Sequence, residues 1–310
     1  MCGIAGQVGR SARTVQENYG AFDAMQKTLA RRGPDQRGIY CKGRAALLHT
    51  RLCVIDPENG TQPMQLQWQG ETYVIVYNGE LYNTPELRAA LQSCGHTFAG
   101  HSDTEVLLHA YAQWGSACVE RCNGIFAFAV WSEQQGILFL ARDRCGVKPL
   151  FYTQKQDGVI FGSELKTLLA HPAVELKIDS DGLAQIMLLG PGRVPGSGVF
   201  CGVRELLPGQ CAEFDTNTGH LSLRRYWYLT DHEHPDDFAA TVRRLRELLL
   251  DAIHRQLVAD VQVGALVSGG LDSSILASVA DAAFVEAGKT LHTFSVGYKD
   301  NKRYFHATKF

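Results

Sequence analysis

The spacing of hydrophobic and polar residues predicts two regions of different secondary structure. Up to residue 170, short β-branched or aromatic segments alternate with turn residues, which is typical of strands. These predicted strands cover 3–8, 37–41, 45–49, 73–77, 126–131, 137–141 and 159–162. Apolar residues at helical spacing predict helices over 19–30, 85–93, 103–114 and 164–170. Together they favour an α+β domain built on antiparallel sheets.

The pattern changes toward the end of the chain. After a Gly- and Pro-rich stretch over 190–202, a strand over 221–228 and an acidic stretch over 230–237, an amphipathic helix begins at Phe238. A strand over 262–267, a helix over 272–287 and a strand over 291–296 follow, which is the βαβ unit of a parallel sheet. We therefore predict a first domain over 1–210, a linker over 211–240 and a second domain over 241–310.

The second domain is expected to be incomplete. Residues 241–310 number 70, whereas a domain usually has about 100–200 residues. Two parallel strands and one crossover do not cover both faces of a sheet. The sequence therefore indicates the N-terminal portion of a longer protein.

Composition and charge argue against several classes of partner. The net charge is −2 and the positive residues are scattered, unlike a nucleic-acid-binding surface; a short basic run over 299–309 is more typical of a solvated edge. No segment has the length of a membrane span, and the first residues do not form a signal peptide. We expect a cytoplasmic protein without nucleic-acid or membrane partners.

The cysteines point to a reducing compartment. There are nine of them, an odd number, with no CxxC pair, which indicates free thiols rather than a disulfide framework. Cys118 and Cys122 are spaced for one helix face, but no second Cys or His pair completes a zinc site. We expect two core cysteines there and no metal site.

Cys2 is a candidate nucleophile. Removal of Met1 would leave a thiol and a free α-amine on the same residue. An α-amine titrates near about 7.7–8.0, so part of it is neutral at physiological pH and can accept the proton of the thiol. Taken alone, Cys2 is more readily interpreted as a plain thiol near the chain terminus.

Seven sequence motifs support the interpretation of Cys2 as a nucleophile. They are MCGIAG over 1–6, RRGPD over 31–35, HTRL over 49–52, YNGELYN over 77–83, SDTE over 102–105, NGIFAFA over 123–129 and ARDRCGVKPL over 141–150. In these motifs and their order the sequence resembles the N-terminal-nucleophile glutamine amidotransferases, and specifically the glutamine-hydrolysing asparagine synthetases. The resemblance implies a four-layer αββα glutaminase domain with Cys2 as its nucleophile.

The resemblance assigns Asn78 and Gly79 to an oxyanion hole. Attack of a thiolate on a carboxamide creates a negative oxygen that needs N–H donors, and Gly79 on a turn would let the substrate approach. Arg51 can fork onto the α-carboxylate of glutamine, while Glu80 and Asp103 suit its ammonium. Taken singly, these residues have structural alternatives: a hairpin turn at Asn78 and Gly79, a helix N-cap at Asp103, and a surface charge at Arg51.

Other residues in the matched motifs are expected to be structural. We predict an internal ion-pair network and a helix start at Ser163 from Asp143, Arg144, Lys148, Ser163 and Glu164.

A further motif, SGGLDSS over 268–274, follows a predicted strand and opens a helix. Consecutive N–H groups at a helix N-terminus, with two glycines and small hydroxyls, form an anion-binding nest. The motif lacks the Gly-Lys-Ser/Thr of kinase-like loops. It resembles the pyrophosphate loop of enzymes that cleave ATP to adenylate a carboxylate. The resemblance implies that ATP is bound by Val267, Ser268, Gly269, Gly270, Asp272, Ser273 and Val296, with the two valines bordering the adenine.

The family reaction converts ATP, aspartate and glutamine to asparagine, glutamate, AMP and pyrophosphate with Mg²⁺, and it is compatible with a homodimer. The synthetase segments that would supply the Mg²⁺ ligands and the aspartate pocket are not among these 310 residues. We therefore expect glutamine hydrolysis by this chain, with no asparagine formed by it alone. Two alternatives stay open: a related amidotransferase acting on another carboxylate, and a non-catalytic remnant.

Overall fold

A computed structural model describes residues 1–190 and 192–297. The chain divides into two compact units, Met1–Thr230 and Asp231–Phe310. The basic run over 299–309 and the end of the predicted second domain lie outside the described residues.

The first unit is built mainly of strands. They are β1 (Gly3–Gly9), β2 (Gln36–Lys42), β3 (Ala45–Arg51), β4 (Met64–Trp68), β5 (Glu71–Leu81), β6 (Gly124–Ser132), β7 (Ile137–Arg142), β8 (Phe151–Lys155), β9 (Gly158–Gly162), β10 (Arg204–Glu205), β11 (Gln210–Asp215) and β12 (His220–Arg225). Its helices are α1 (Ala12–Glu17), α2 (Tyr19–Thr28), α3 (Thr84–Ser93), α4 (Asp103–Trp114), α5 (Cys118–Arg121), α6 (Leu165–Leu169) and α7 (Ser180–Leu189), with a 3-10 turn at Gly115–Ala117.

Two antiparallel sheets form the centre of this unit. Their strand orders are β10-β8-β9-β1-β3-β2 and β12-β11-β7-β6-β5-β4. Apolar side chains from both sheets pack between them, including Ile4, Leu47, Val76 and Ala129. Helices α2 and α6 cover the outer face of the first sheet, and α3, α4 and α5 cover that of the second. This is the four-layer αββα arrangement predicted from the sequence.

Burial on both faces explains which strands the sequence reveals most clearly. Every residue of β1 and β3 is buried, and both strands consist mostly of apolar and small residues, with Gln7, His49 and Arg51 as the large polar exceptions. Strand β2 lies at the edge of its sheet and alternates between more and less exposed positions.

The ends of three strands position the site. Gly3 at the start of β1 pairs with Thr50 near the end of β3. Strand β5 pairs with β4 only as far as Ile75, opposite Met64. The remaining residues of β5 therefore pair with β6 on one side and leave the other edge open.

The region predicted as the start of the linker is structured differently. Residues 210–225 form β11 and β12, and β11 pairs with β7 in the second sheet. The first unit thus extends past the predicted boundary at residue 210. Strand β11 is short and half polar, so its placement depends on pairing with β7 rather than on a local pattern.

The second unit contains α8 (Phe238–Arg255), β13 (Gly264–Leu266), α9 (Leu271–Glu286) and β14 (His292–Phe294). Strands β13 and β14 are parallel and α9 connects them, which is the βαβ unit expected from the sequence. No helix in the described part of either unit is both long enough and apolar enough to cross a membrane.

Candidate active site

A cavity of about 110 Å³ lies in the first unit where β1, β3 and β5 meet. It is lined by all six residues that the sequence predicted for glutamine chemistry: Cys2, Arg51, Asn78, Gly79, Glu80 and Asp103. The other lining residues are Met1, Leu52, Val54, Ile55, Gly60, Gln62, Tyr77, Thr104 and Lys148. The fold thus brings five of the seven motifs to one place.

The thiol of Cys2 lies against the chain that follows β3. Its Sγ accepts a hydrogen bond from the N–H of Leu52 at 3.4 Å and donates to the carbonyl of Leu52 at 3.6 Å. The Nε of Arg32 donates to the carbonyl of Cys2 at 2.9 Å, which fixes the backbone beside the thiol. Burial raises the pKa of the thiol, and the bond to Leu52 and the nearby N-terminal amine oppose that rise.

Met1 covers part of the same cavity but belongs to none of the hydrophobic cores. It lines the cavity and is 58% exposed. Burial is the largest cause of a lowered pKa of its amine, with the cations Arg32 and Lys148 adding to the effect. Removal of Met1 would therefore place the amine on Cys2 without disturbing the core.

Gly79 lies within β5, so the predicted turn at this position is wrong. Along β5 the N–H groups alternate between the two edges. Tyr82 donates toward β6, to Asn123, whereas Tyr77 and Leu81 donate away from it. Gly79 lies between those two, so its N–H faces the open edge of the strand at the cavity.

Packing requires a glycine at position 79. A Cβ there would collide with the carbonyl of Ile125 and approach the ring of Tyr77 to 2.6 Å. The neighbouring side chain, Asn78, is 1% exposed, and its Nδ2 has no hydrogen-bond partner among the described residues. The cavity is therefore lined by two N–H donors, one from the side chain of Asn78 and one from the backbone of Gly79.

The carboxylates of Asp103 and Glu80 face the same cavity. Oδ2 of Asp103 accepts from the hydroxyl of Tyr77 at 2.9 Å and from the N–H of Leu81 at 3.1 Å. Burial raises the pKa of Asp103 to about 6 and also raises the pKa of Glu80. Ser102, and not Asp103, is the N-cap of α4, so the alternative role of Asp103 as a helix N-cap is wrong.

Arg51 is buried rather than on the surface, with 4% exposure. Its terminal nitrogens donate to the carbonyls of Ile55, Asp56 and Pro57 at 2.7–3.1 Å, and to Oε1 of Gln36 at 3.0 Å. The guanidinium thus holds the loop between β3 and β4 against the cavity. A substrate carboxylate would meet a cation whose terminal N–H groups already have acceptors.

Sequence reasoning missed several residues that shape the site. Oε1 of Gln62 accepts from the N–H of Tyr77 at 2.6 Å, and its Nε2 donates to Thr104 at 3.1 Å. The sequence gives no signal for this residue. Arg32 and Lys148 lie within the matched motifs, but nothing in the sequence distinguishes them from their neighbours.

The structure corrects the expected ion-pair network at Asp143. Its carboxylate accepts backbone N–H groups of Phe126, Cys145, Val147 and Lys148 at 3.0–3.2 Å and so shapes the turn after β7. An ion pair does form elsewhere, between Arg32 and Glu164 at 3.2 Å.

Ser163 does not start a helix through its side chain. Its Oγ accepts the N–H of Ile4 at 3.0 Å, and α6 begins after Glu164. The serine therefore ties the end of β9 to β1, next to Cys2.

The predicted ATP loop joins β13 to α9 in the second unit. Gly269 has a φ of +86°, a conformation that favours glycine, and a Cβ on it would meet no heavy atom within 4 Å. Oγ of Ser273 accepts from the N–H of Ser268 at 3.2 Å and donates to the carbonyl of Gly270 at 3.1 Å. These bonds curl the loop over the first turn of α9, where N–H groups lack helical acceptors.

The other predicted ATP residues lie around this loop. The N–H of Val267 donates to the carbonyl of Phe294 at 2.8 Å, Asp272 lies in the first turn of α9, and Val296 follows β14 and is 76% exposed. Within residues 1–190 and 192–297, no group of three or more His, Cys, Asp or Glu side chains could hold a metal ion.

Comparison with known proteins covers both units. The glutamine amidotransferase domain family matches residues 1–227, and the asparagine synthase family matches residues 244–307. Asparagine synthetase [glutamine-hydrolyzing] 3 of Bacillus subtilis (strain 168) is 47% identical over 100% of this chain and 50% of its own length. Asparagine synthetase [glutamine-hydrolyzing] 2 of the same organism is 35% identical over 96% of this chain and 40% of its own length. The chain thus spans about half the length of these curated relatives.

A solved structure supports the fold. Glutamine phosphoribosylpyrophosphate amidotransferase from B. subtilis, complexed with ADP and GMP, superimposes with a TM-score of 0.52 at 19% sequence identity. The match covers 99% of this chain and 69% of that one. The fold class predicted from the sequence, that of the N-terminal-nucleophile amidotransferases, is therefore confirmed.

Proposed function

Because the chain belongs to the glutamine amidotransferase domain family, we propose that its first unit hydrolyses glutamine to glutamate and ammonia with Cys2 as nucleophile. One observation carries the proposal. The cavity that holds the Cys2 thiol is also lined by Asn78, whose buried Nδ2 has no hydrogen-bond partner among the described residues, and by Gly79, whose N–H faces the open edge of β5. Unpaired buried donors are costly, and a developing oxyanion is the acceptor that would satisfy both.

The chemistry follows from these groups. After removal of Met1, the α-amine of Cys2 takes the proton of the thiol as sulfur attacks the carboxamide carbon of glutamine. Asn78 and Gly79 donate to the carbonyl oxygen as it becomes negative. The amine then returns the proton to the leaving nitrogen, ammonia departs, and a glutamyl thioester remains on Cys2. Water adds to the thioester and releases glutamate.

The charged residues of the cavity suit the two ends of free glutamine. We assign the α-ammonium to Asp103 and Glu80, whose carboxylates lie together at the cavity wall. We assign the α-carboxylate to the side of Arg51. Since the terminal N–H groups of Arg51 already have acceptors, it contributes its charge and the position of residues 55–57.

The second unit indicates which reaction consumes the ammonia. The curated relatives are named as glutamine-hydrolysing asparagine synthetases, and we propose that in the whole protein the ammonia serves asparagine synthesis by ATP-dependent amidation of aspartate. The loop over 268–274 fits a pyrophosphate, because its glycines leave open space and α9 presents N–H groups to it. Bound ATP with Mg²⁺ would activate the carboxylate of aspartate. The phosphates of ATP would be held by residues of the loop and of the first turn of α9, beside Val267 and Val296: Ser268, Gly269, Gly270, Asp272 and Ser273.

We further propose that the protein works in the cytoplasm. All nine cysteines, each within the described residues, are free, including the exposed Cys41, Cys94, Cys145 and Cys201. A reducing compartment would preserve them and the nucleophile.

The test is to incubate the purified chain with glutamine, with and without ATP and aspartate, and to quantify glutamate and asparagine. We expect glutamate from the wild type and none above background from Cys2→Ala. Cys53→Ala is the matched control, because Cys53 lies beside the same loop but does not line the cavity. Equal glutamate from Cys2→Ala and wild type would overturn the proposal.

A further inference from the structure

The ammonium of Lys148 is the unexplained charge of the cavity. The residue is 6% exposed and lines the cavity with Cys2. Among the described residues, no carboxylate oxygen lies within 4.0 Å of its Nζ, and no acceptor forms a hydrogen bond with it. Buried lysines are almost always paired, so its position is unusual.

The fold fixes Lys148 at this place. Its N–H donates to Oδ2 of Asp143 at 3.0 Å, and its carbonyl accepts from Nε of Arg142 at 2.7 Å. Arg142 is itself buried and paired with Glu205 at 3.1 Å. The backbone of Lys148 is therefore held from both sides at the wall of the cavity.

Charged groups approach Cys2 from every element around it. The positive ones are Arg32 before β2, Arg51 in β3 and Lys148 after β7; the negative ones are Asp35 before β2, Glu80 in β5, Asp103 in α4 and Asp143 after β7.

Most of these charges are engaged by other groups. Arg32 pairs with Glu164, Arg51 is bound by carbonyls, and Asp103 and Asp143 accept hydrogen bonds. Asp35 accepts the N–H of Cys53 at 2.8 Å. Burial raises the pKa of Glu80, and the charge of Lys148 opposes that rise. Among the three cations, Lys148 is the one whose side chain has neither a carboxylate within 4.0 Å nor a hydrogen-bond acceptor among the described residues.

We propose that Lys148 is a positioning residue for the protonation state of the nucleophile: its charge disfavours the ammonium form of the Cys2 amine and favours the thiolate. This inference rests on the proposed function of Cys2. The amine can act as a base only when it is neutral, and a nearby cation keeps a larger fraction neutral at a given pH. The same charge stabilises the sulfur anion that forms when the proton leaves.

The directions of the pKa shifts agree with this role. After burial, Arg32 and Lys148 are among the causes that lower the pKa of the N-terminal amine. Burial also lowers the pKa of Lys148, while Glu80 and the Cys2 thiol oppose that change. In the mature chain the amine is on Cys2 itself, within the same cavity.

The sign of the expected effect is definite. Loss of the cation raises the pKa of both the amine and the thiol, so activity at low pH falls while activity at high pH persists. A unit charge in the same partly buried cavity corresponds to a pKa shift of about one pH unit. A purely structural role would instead lower activity equally at every pH.

The experiment measures two pH profiles of the full chain. The first is kcat at saturating glutamine, which removes effects on substrate binding. The second is the rate at which iodoacetamide alkylates Cys2, followed by mass spectrometry of the N-terminal peptide. The variants are Lys148→Met, Lys148→Gln and the charge-retaining Lys148→Arg. Lys42→Met is the control, because Lys42 pairs with Glu133 on the surface of the same unit.

We expect both profiles to move up by about one pH unit in Lys148→Met and Lys148→Gln, with about tenfold lower kcat on the acid limb. Lys148→Arg and Lys42→Met should keep the wild-type midpoints. Unshifted midpoints in either neutral variant that folds would overturn the proposal. If the wild type hydrolyses no glutamine, the proposed function fails, but the alkylation profiles still decide the role of Lys148.

Discussion

At the residue scale, the cavity is defined by polar groups whose partners the protein does not supply. Nδ2 of Asn78 is buried without an acceptor, and the N–H of Gly79 faces the open edge of β5. Neighbouring groups on the same edge, the N–H groups of Tyr77 and Leu81, are satisfied by side chains. Within this part of β5, the donors left for an oxyanion are therefore those of Asn78 and Gly79.

Replacing Asn78 by alanine tests that assignment. We expect kcat for glutamine hydrolysis to fall about 100- to 1,000-fold, because one oxyanion donor is lost. Stability should change by less than about 1 kcal/mol, since the deleted amide nitrogen makes no hydrogen bond. Steady-state kinetics and urea unfolding measure the two effects.

Asn83→Ala is the matched control for Asn78. The side chain of Asn83 bonds to the backbone of Arg121 and Asn123, outside the cavity. This variant should lose stability and keep kcat. An unchanged kcat in Asn78→Ala would exclude it from the oxyanion hole.

Asp103 gives the reaction a predicted pH dependence. Because burial raises its pKa to about 6, the carboxylate loses its charge as the pH falls through that value. An uncharged Asp103 cannot pair with the ammonium of glutamine, so KM should rise below about pH 6. In Asp103→Asn, KM should be high at all pH values and should no longer change in this range. A wild-type KM that stays constant from pH 7 to pH 5 would contradict the assignment.

At the scale of elements, sequence patterns reveal the buried strands and miss those whose position depends on partners. Strands β1 and β3 are evident because most of their residues are apolar or small. The local sequence indicates secondary structure less clearly in strand β4, which has glutamines at alternate positions, and in helix α7. The position of β11 depends on its pairing with β7. The motifs identified six residues that do share one cavity, but not the strand geometry of Gly79 or the bonded state of Arg51. Both depend on contacts between distant segments.

The loop between β3 and β4 should depend on Arg51. We expect Arg51→Gln to loosen residues 55–57, because the guanidinium bonds to three of their carbonyls would be lost. Hydrogen exchange should be faster in this loop, and KM for glutamine should rise. Arg37→Gln, on the exposed side of β2, serves as control and should change neither. Unaltered exchange at 55–57 in Arg51→Gln would show that the loop is held by other contacts.

At the scale of the whole molecule, the chemistry of glutamine is contained in one unit. Among the described residues, the hydrophobic core clusters and every residue of the cavity lie within Met1–Thr230. The second unit carries a separate loop suited to phosphate. The site proposed for glutamine and the loop proposed for phosphate thus belong to different units.

A chain of residues 1–230 should therefore fold and hydrolyse glutamine. We expect a cooperative thermal transition and a kcat within about threefold of the 310-residue chain, because no cavity residue is removed. Circular dichroism and a glutamate assay measure both. A folded 1–230 chain without activity would show that the second unit contributes to the site.

The central claim is that glutamine is attacked by the sulfur of Cys2. The most direct measurement is to mix the Met1-free chain with glutamine, quench with acid within a turnover, and analyse the N-terminal peptide by mass spectrometry. We predict a peptide that begins at Cys2 and carries a glutamyl group, which hydroxylamine removes and which is absent from Cys2→Ala. An active enzyme whose N-terminal peptide keeps Met1, or a Cys2→Ala variant that still releases glutamate at the wild-type rate, would contradict it.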